Sequence, residues 1–549
     1  MRRVAVAFCL IAAATSAPSK VLRPRIGRAV HGPWSPPPPP GSPVDRTVFY
    51  VSPSGSDAND GHAQTTGQRH GPWLTLGKVS AGHYNPGDRI LFQGGQTFSG
   101  SLSFNASSWT GATASNPVTI GSFGSGAATI NSSAVSTEGF HAVDVEGFIL
   151  ENLKFVGNGG SSWTNGVSVL NTGNTELKDI ILRHLDVTGY GGNGVDIAGD
   201  EDRSGYENLT LSYVTSHSNT THIGSVSTSG IYIGSRTRPE PPGHWVNKHV
   251  LIDHCIADSN PGNSSPPYPN WSGSGIMLSS TQGGTIQYSV AANNGAASGP
   301  SYGPVGIFVA HSDKINVQYN EAYGNWSSSQ YDGDGFDFEG VSNSVVQYNY
   351  SHDNYSTGFF VNSYVDSHGD KAITRDLVLR YNVSQNDHRS ATNPWKYGEG
   401  ITLGNSNQGG PSNLTNIDVY NNTVYASSGA LAPAIGFSNW ANGAISNIRV
   451  ANNIIYSANN TKLIGAANNA GGATTSATFT NNNYYATGTF AIDWLGTTYS
   501  TWSAWRAAGN ETGVNAAQGN ANRILAASGH GPPRRGSSAN QRTRPLRSR

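Results

Sequence analysis

Charge is scarce in this chain: 12% of its 549 residues are Asp, Glu, Lys or Arg, and they sum to a net charge of −1. No polybasic face is available to neutralise a run of phosphates, so nucleic acid is not an expected partner. Cysteine is scarcer still, with 2 residues. Cys9 falls in the N-terminal leader, which leaves Cys255 alone, excludes an intrachain disulfide and makes Cys255 a small buried hydrophobe of its strand. Methionine also numbers 2, and with so few charged residues long helices are not expected. Beyond the leader no stretch approaches the roughly 18 apolar residues of a membrane span, so no membrane partner is expected.

What is abundant is glycine, 68 residues, in a pattern of Gly-apolar-x-apolar that returns at Gly166, Gly194, Gly230, Gly275, Gly306, Gly335, Gly358 and Gly400. Irregular spacing between short alternating segments is the signature of stacked strands joined by variable loops. A second series runs between the copies: LTLSYVTSHSN, VLIDHCIADSN, GTIQYSVAANN, INVQYNEAYGN, SVVQYNYSHDN and LVLRYNVSQND. It sets Asn219, Asn260, Asn294, Asn325 and Asn354 at one equivalent position, an asparagine ladder whose amides hydrogen-bond along a stack of turns. Later copies such as IDVYNNTVYAS and ATFTNNNYYAT carry the pattern to about residue 485. The fold class is therefore all-β, a right-handed parallel β-helix forming a single solenoid of about 10–12 rungs.

Met1, Arg2 and Arg3 followed by VAVAFCLIAAATSA read as a signal peptide over residues 1–17, cut near Ala14 or Ala17, so a secreted protein, extracellular or periplasmic, is expected. Residues 18–46, with Trp34 and the run Pro36 to Pro40, read as a Pro-rich linker. The β-helix is assigned to 47–512, with an N-terminal cap over TVFYVSPSGSDANDG, PWLTLGKV and GDRILFQGGQTFSGSL. At its other end Thr501 N-caps a short helix that carries Trp502 and Trp505 on one face and stops at Gly509. The tail, 513–549, is basic, contains Pro and is expected to be disordered.

Side chains alternate along a strand, so the x positions of each copy point outward. One outward column reads Ser168, Asp196, Tyr232, Met277, Phe308, Asp337, Phe360 and Thr402, and the other Leu170, Ala198, Gly234, Ser279, Ala310, Glu339, Asn362 and Gly404. Tyr232, Phe308 and Phe360 are expected to be exposed platforms for pyranose rings. Acid chemistry gathers in YDGDGFDFEG, with Asp332, Asp334, Asp337 and Glu339. Phe336 and Phe338 point inward, so Asp337 and Glu339 share the outer face about 6.6 Å apart by strand rise. That spacing overlaps the roughly 6.5–9.5 Å between the acid and base of inverting glycosidases. Asp337 and Glu339 form the leading catalytic pair, with Asp334 as a third carboxylate.

Glu399 shares the register of Asp334 two rungs on, on the order of 10 Å away. His352, Asp353, Glu399, Trp395 and Lys396 complete the expected substrate-binding set. His311, Lys314 and Trp326 are weaker candidates on flanking loops. Asp332, Asp334 and Asp337 alternatively form a Ca²⁺ clamp, since that ion takes clustered hard oxygen ligands. Asp332 and Asp334 also suit plain turns.

The entry segment from Thr47 resembles that of many secreted right-handed β-helix proteins of the pectate-lyase-like superfamily that act on polysaccharides. At DGFD, Asp334 to Asp337, the chain resembles the calcium-dependent pectate lyases of polysaccharide lyase family 9. That resemblance implies a calcium rung and a lysine base on a neighbouring rung. Thr402 stands where the lysine belongs, and neither outward column carries a Lys or Arg to meet a uronate. A glycoside hydrolase needing no cofactor is thus the leading expectation, with a neutral or weakly charged polysaccharide as partner and a monomeric chain. A calcium lyase or uronate epimerase, and a non-enzymatic glycan-binding or surface β-helix, are the alternatives.

Overall fold

A computed structural model describes residues 47–518, apart from the segments 160–162, 200–203, 221–226, 237–244, 264–270, 299–302, 329–331, 366–370, 391–397, 408–409, 429–431, 441–442 and 467–473. The expected signal peptide and linker, 1–46, and the tail from 519 lie outside the described residues. The chain winds into a right-handed parallel β-helix of about 12 turns with very little helix. Among the described residues no helix is long and apolar enough to cross a membrane.

Each turn contributes a strand to each of three sheets. One turn runs through Trp271–Ser279, Thr281–Gln287 and Val290–Ala292. In the next, Val305–Gln318 crosses the first two sheets as one bent strand and Glu321–Tyr323 supplies the third. Successive turns stack in parallel, with Ile276 over Ile307, Gly284 over Ile315 and Ala291 over Ala322. The first sheet, built from the Gly-apolar-x-apolar copies, is called the site sheet below. Alternation drives its inner rows into the solenoid. Ile276, Ile307, Phe336, Phe359 and Ile401 form one row and Leu278, Val309, Phe338, Val361 and Leu403 the next, none above 1% exposed. Phe336 and Phe359 stack with centroids 4.8 Å apart.

The expected ladder lies at the corner between the third sheet and the site sheet. Asn325 Nδ2 donates to Ala291 O and to Asn354 Oδ1, and its backbone N–H goes to the same Asn354 oxygen. The column ends on Asp387, which accepts from Asn354. A second ladder, not read from the sequence, occupies the corner between the second and third sheets. There Asn320, Asn349, Asn382, Asn422, Asn453 and Asn482 repeat the same bonds rung on rung and end on Glu511. Cys255 occupies this column at an early turn, fully buried, its N–H bonded to Ser289 Oγ. Before each ladder residue stands one with left-handed backbone, among them Tyr288, Tyr319, Tyr348 and Tyr381 at φ of 52–58°. Their rings stack at 4.9–5.1 Å up the outside of the corner.

Both ends are closed. Trp73 stacks on Phe49 beside the helix Leu76–Ser80, which Thr75 caps. At the far end Thr501 Oγ1 accepts from Ala504 N, and Trp505 of the helix Trp502–Ala507 is fully buried. The chain then adds Glu511–Thr512 and Ala517–Gln518 in parallel to the last turn. The solenoid therefore reaches Gln518, past the 512 boundary drawn from the sequence.

Candidate active site

The acid row is carried by the strand Asp334–Gln347 on the outer face of the site sheet. Its entry is a tight turn in which Asp332 has φ 52° and Gly333 φ 83°. A Cβ at Gly333 would come 2.7 Å from Tyr355 Cβ, so that position accepts only glycine. Asp337 is in register with Phe308 on the turn before and Phe360 on the turn after; Glu339 is in register with Ala310 and Asn362. The two thus share the outer face as expected, but they are enclosed: Asp334 is 1% exposed, Asp337 4% and Glu339 8%.

Hydrogen bonding separates the four carboxyls. Asp332 accepts the Gly303 N–H at 2.9 Å, and Asp334 Oδ1 accepts the Thr357 N–H at 2.8 Å. Glu339 Oε1 accepts from Asn362 Nδ2 at 2.8 Å. Asp334 Oδ2 and Asp337 Oδ1 are buried with no partner. Burial pushes the Asp337 carboxyl well above the usual range, and the charges of Glu339 and Asp334 push further. Burial and then Asp332 do the same to Asp334, against hydrogen bonds from Ser356 and Thr357. Burial lifts Asp332 to about 6. A buried carboxyl without a donor holds its proton because ionisation would strand a charge in an apolar surround.

The residues of the expected Ca²⁺ clamp, Asp332, Asp334 and Asp337, lie together at the entry of this strand. Among the described residues no three His, Cys, Asp or Glu side chains stand where they would share one metal ion.

The outward aromatics behave differently from expectation. Phe308 is 2% and Phe360 5% exposed, and Phe308 packs with Met277, Val305, Ala310 and Tyr232 in an apolar cluster outside the sheet. The rings lie over the small residues of the second column instead of standing into solvent. Tyr232 crosses Gly234, where a Cβ would meet its Oη at 2.6 Å, and donates to Ser235 O. Phe360 leans to Gly404, where a Cβ would meet its Cε2 at 2.8 Å. Phe308 and Phe360 flank Asp337 on the rungs before and after it, while Tyr232, half-buried, lies three rungs before it and away from the carboxyls.

The other candidates fall in different places. Glu399 is fully buried and accepts the N–H groups of Ser427 and Ser428, which makes it the cap of a turn; burial lifts it to about 7. His352 lies on the outside of the third sheet. Its Nε2 is 3.3 Å from Glu321 Oε1 and its Nδ1 3.0 Å from Asp353 Oδ2, and the ring stacks on Tyr323. His352 and Asp353 thus form an ion pair around the corner from the acid row. Trp395 and Lys396 lie outside the described residues. Thr402, where the resemblance calls for lysine, is fully buried with its hydroxyl on Gly398 O and Thr357 Oγ1. His311 reaches Tyr364 Oη at 3.2 Å, Lys314 pairs with Asp313, and Trp326 is 43% exposed against Tyr355. The sequence reading assigned no role to Asn362 or Thr357, which contact the acid row directly; their place one rung on was the only signal.

No protein-family model matches the chain, and no curated protein matches it. Solved structures similar to it include the native GH136 lacto-N-biosidase from Eubacterium ramulus, 18% identical, with a TM-score of 0.49 over 73% of this chain and 68% of that one. Pectate lyase Pel9A is 15% identical, with a TM-score of 0.32 over 73% of this chain and 78% of that one. The surface adhesin PfbA of Streptococcus pneumoniae is 13% identical, with a TM-score of 0.42 over 75% and 86%. These are likenesses of backbone course, and the functional reading below rests on this chain's own residues.

Proposed function

We propose that this chain is a secreted carbohydrate-active enzyme, and specifically a glycoside hydrolase acting on a neutral or weakly charged polysaccharide. The observation that carries the reading is the pair Asp337 and Glu339 on one strand face, in unlike surroundings. Asp337 lies between two phenylalanine rungs with one oxygen unpartnered, which suits a carboxyl that keeps its proton for a leaving glycosidic oxygen. Glu339 receives an amide N–H, which suits a carboxylate that takes a proton from water. In the reaction the glycosidic C–O bond breaks as the Asp337 proton passes to the leaving oxygen. Water adds to the anomeric carbon as Glu339 accepts its proton. The strand-rise separation of about 6.6 Å leaves room for that water and favours inversion.

The test is incubation with a polysaccharide panel, with and without chelator, following reducing ends and ultraviolet absorbance together. New reducing ends that disappear in Asp337→Asn and Glu339→Gln, each by about 10³-fold or more, support the reading. Absorbance growing in step with product and lost with chelator would replace it with a calcium lyase. The enclosure of the acid row favours a second reading, a glycan-binding β-helix with a closed face; retention on a glycan column without any product would establish that.

A further inference from the structure

We propose that Asn362 is the positioning residue of this site, holding Glu339 in the orientation and charge state in which it serves as base. The inference rests on the hydrolase reading above and assigns a role to a residue outside the reacting pair. Asn362 stands directly above Glu339 in register, one turn along the solenoid. Its Nδ2 donates to Glu339 Oε1 at 2.8 Å and to Ser406 Oγ at 3.2 Å, so both amide hydrogens are committed and the amide cannot turn over without losing both bonds. The amide oxygen is buried without a partner, and the residue is 3% exposed.

The slot that holds the amide is built for it. A Cβ at Gly404 would come within 2.8 Å of Asn362 Oδ1 and of Phe360 Cε2, so a side chain there would displace both. Leaving a buried acceptor unsatisfied carries a desolvation cost, which an apolar residue of similar size would avoid. A residue kept only for packing does not need that cost; one that must present an N–H to a carboxylate does. Of the titratable groups facing Glu339, Asp334 and Asp337 share its strand and oppose its charge, since like charges on one strand raise one another's proton affinity. His311, next to Ala310 on the turn before, and Tyr364, on the turn after, bond to each other across the row at Gly340. The amide of Asn362 is a neutral donor to Glu339 within this acidic row.

The full chain is compared as wild type, Glu339→Gln, Asn362→Ala, the isosteric Asn362→Asp and the donor-retaining Asn362→Gln. In Asn362→Ala and Asn362→Asp, kcat is expected to fall on the order of 10²-fold with KM little changed. The acid limb of the kcat profile is expected to move to higher pH, and Asn362→Gln is expected to recover part of the loss. Thermal unfolding of Asn362→Asp, which keeps the shape of the slot, separates this from misfolding. If Glu339→Gln retains activity, the hydrolase reading itself fails. If Glu339→Gln is inactive while Asn362→Ala and Asn362→Asp keep wild-type kcat and an unmoved profile, the positioning role fails alone.

Discussion

At the scale of single residues, an outward-pointing side chain is not the same as an exposed one. Tyr232, Phe308 and Phe360 leave the sheet on its outer face, as alternation requires, and then lie down over Gly234, Ala310 and Gly404. Phe360 therefore dries the carboxyl beside it. Removing the ring in Phe360→Ala admits water to Asp337, weakens the burial that raises its proton affinity, and so moves the basic limb of the kcat/KM profile to lower pH. A profile that stays in place would show that burial is not what keeps that proton. The shared strand and outer face of Asp337 and Glu339 were legible in the sequence because period-two alternation fixes both. Their enclosure was not, because it depends on which residue stands two positions on and one rung away. Asn362 was overlooked for the same reason: its partner, Glu339, lies 23 residues back in the chain.

At the scale of the repeating element, each corner between the second and third sheets puts two adjacent residues to opposite uses. Asn349 makes Nδ2 bonds to Val317 O and Asn382 Oδ1, and its own oxygen takes two donors from Asn320. Asn349→Ala strands these buried groups and is expected to cost about 3 kcal/mol or more in denaturant unfolding. Tyr348, the residue before it, has left-handed backbone that costs an L-residue roughly 1–2 kcal/mol. Its stacking returns a comparable amount, about 0.5–1.5 kcal/mol per pair. Tyr348→Gly gives up the stack and relieves the strain, so its unfolding free energy is expected to stay within about 1 kcal/mol of wild type. Equal losses for both variants would contradict this division of labour. The sequence revealed the ladder at one corner because Asn recurs there at the end of each copy. The second ladder begins with Cys255 and Ser289 in place of Asn, and the tyrosines before Asn320, Asn349 and Asn382 drew the pattern toward a strand.

At the scale of the whole molecule, the buried acids set a pH dependence that runs against the usual neutral optimum. Burial lifts Asp196, Asp332 and Asp387 to about 6 and Glu399 to about 7, from 3.8 and 4.5. For a carboxyl raised on folding, stability is fully present below the unfolded value and is lost as pH rises through the folded one. His352 adds the same sign: burial opposes its charge, yet Asp353 and Glu321 raise it to about 9, so its contribution fades between 6.5 and 9. His388 works the other way. Burial lowers it to about 4, and its contribution is lost as pH falls below 6.5. Four carboxyls and one imidazolium outweigh one neutral imidazole, so the chain is expected to unfold at higher temperature at pH 5 than at pH 8. Glu399→Gln should flatten the part of that slope between about 4.5 and 7, because it removes the group that binds a proton on folding in that window. A melting temperature that instead climbs from pH 5 to pH 8 would mean that these acids are ionised in the folded chain. Such a result would also count against the proton that the proposed mechanism assigns to Asp337, since burial is what holds that proton too.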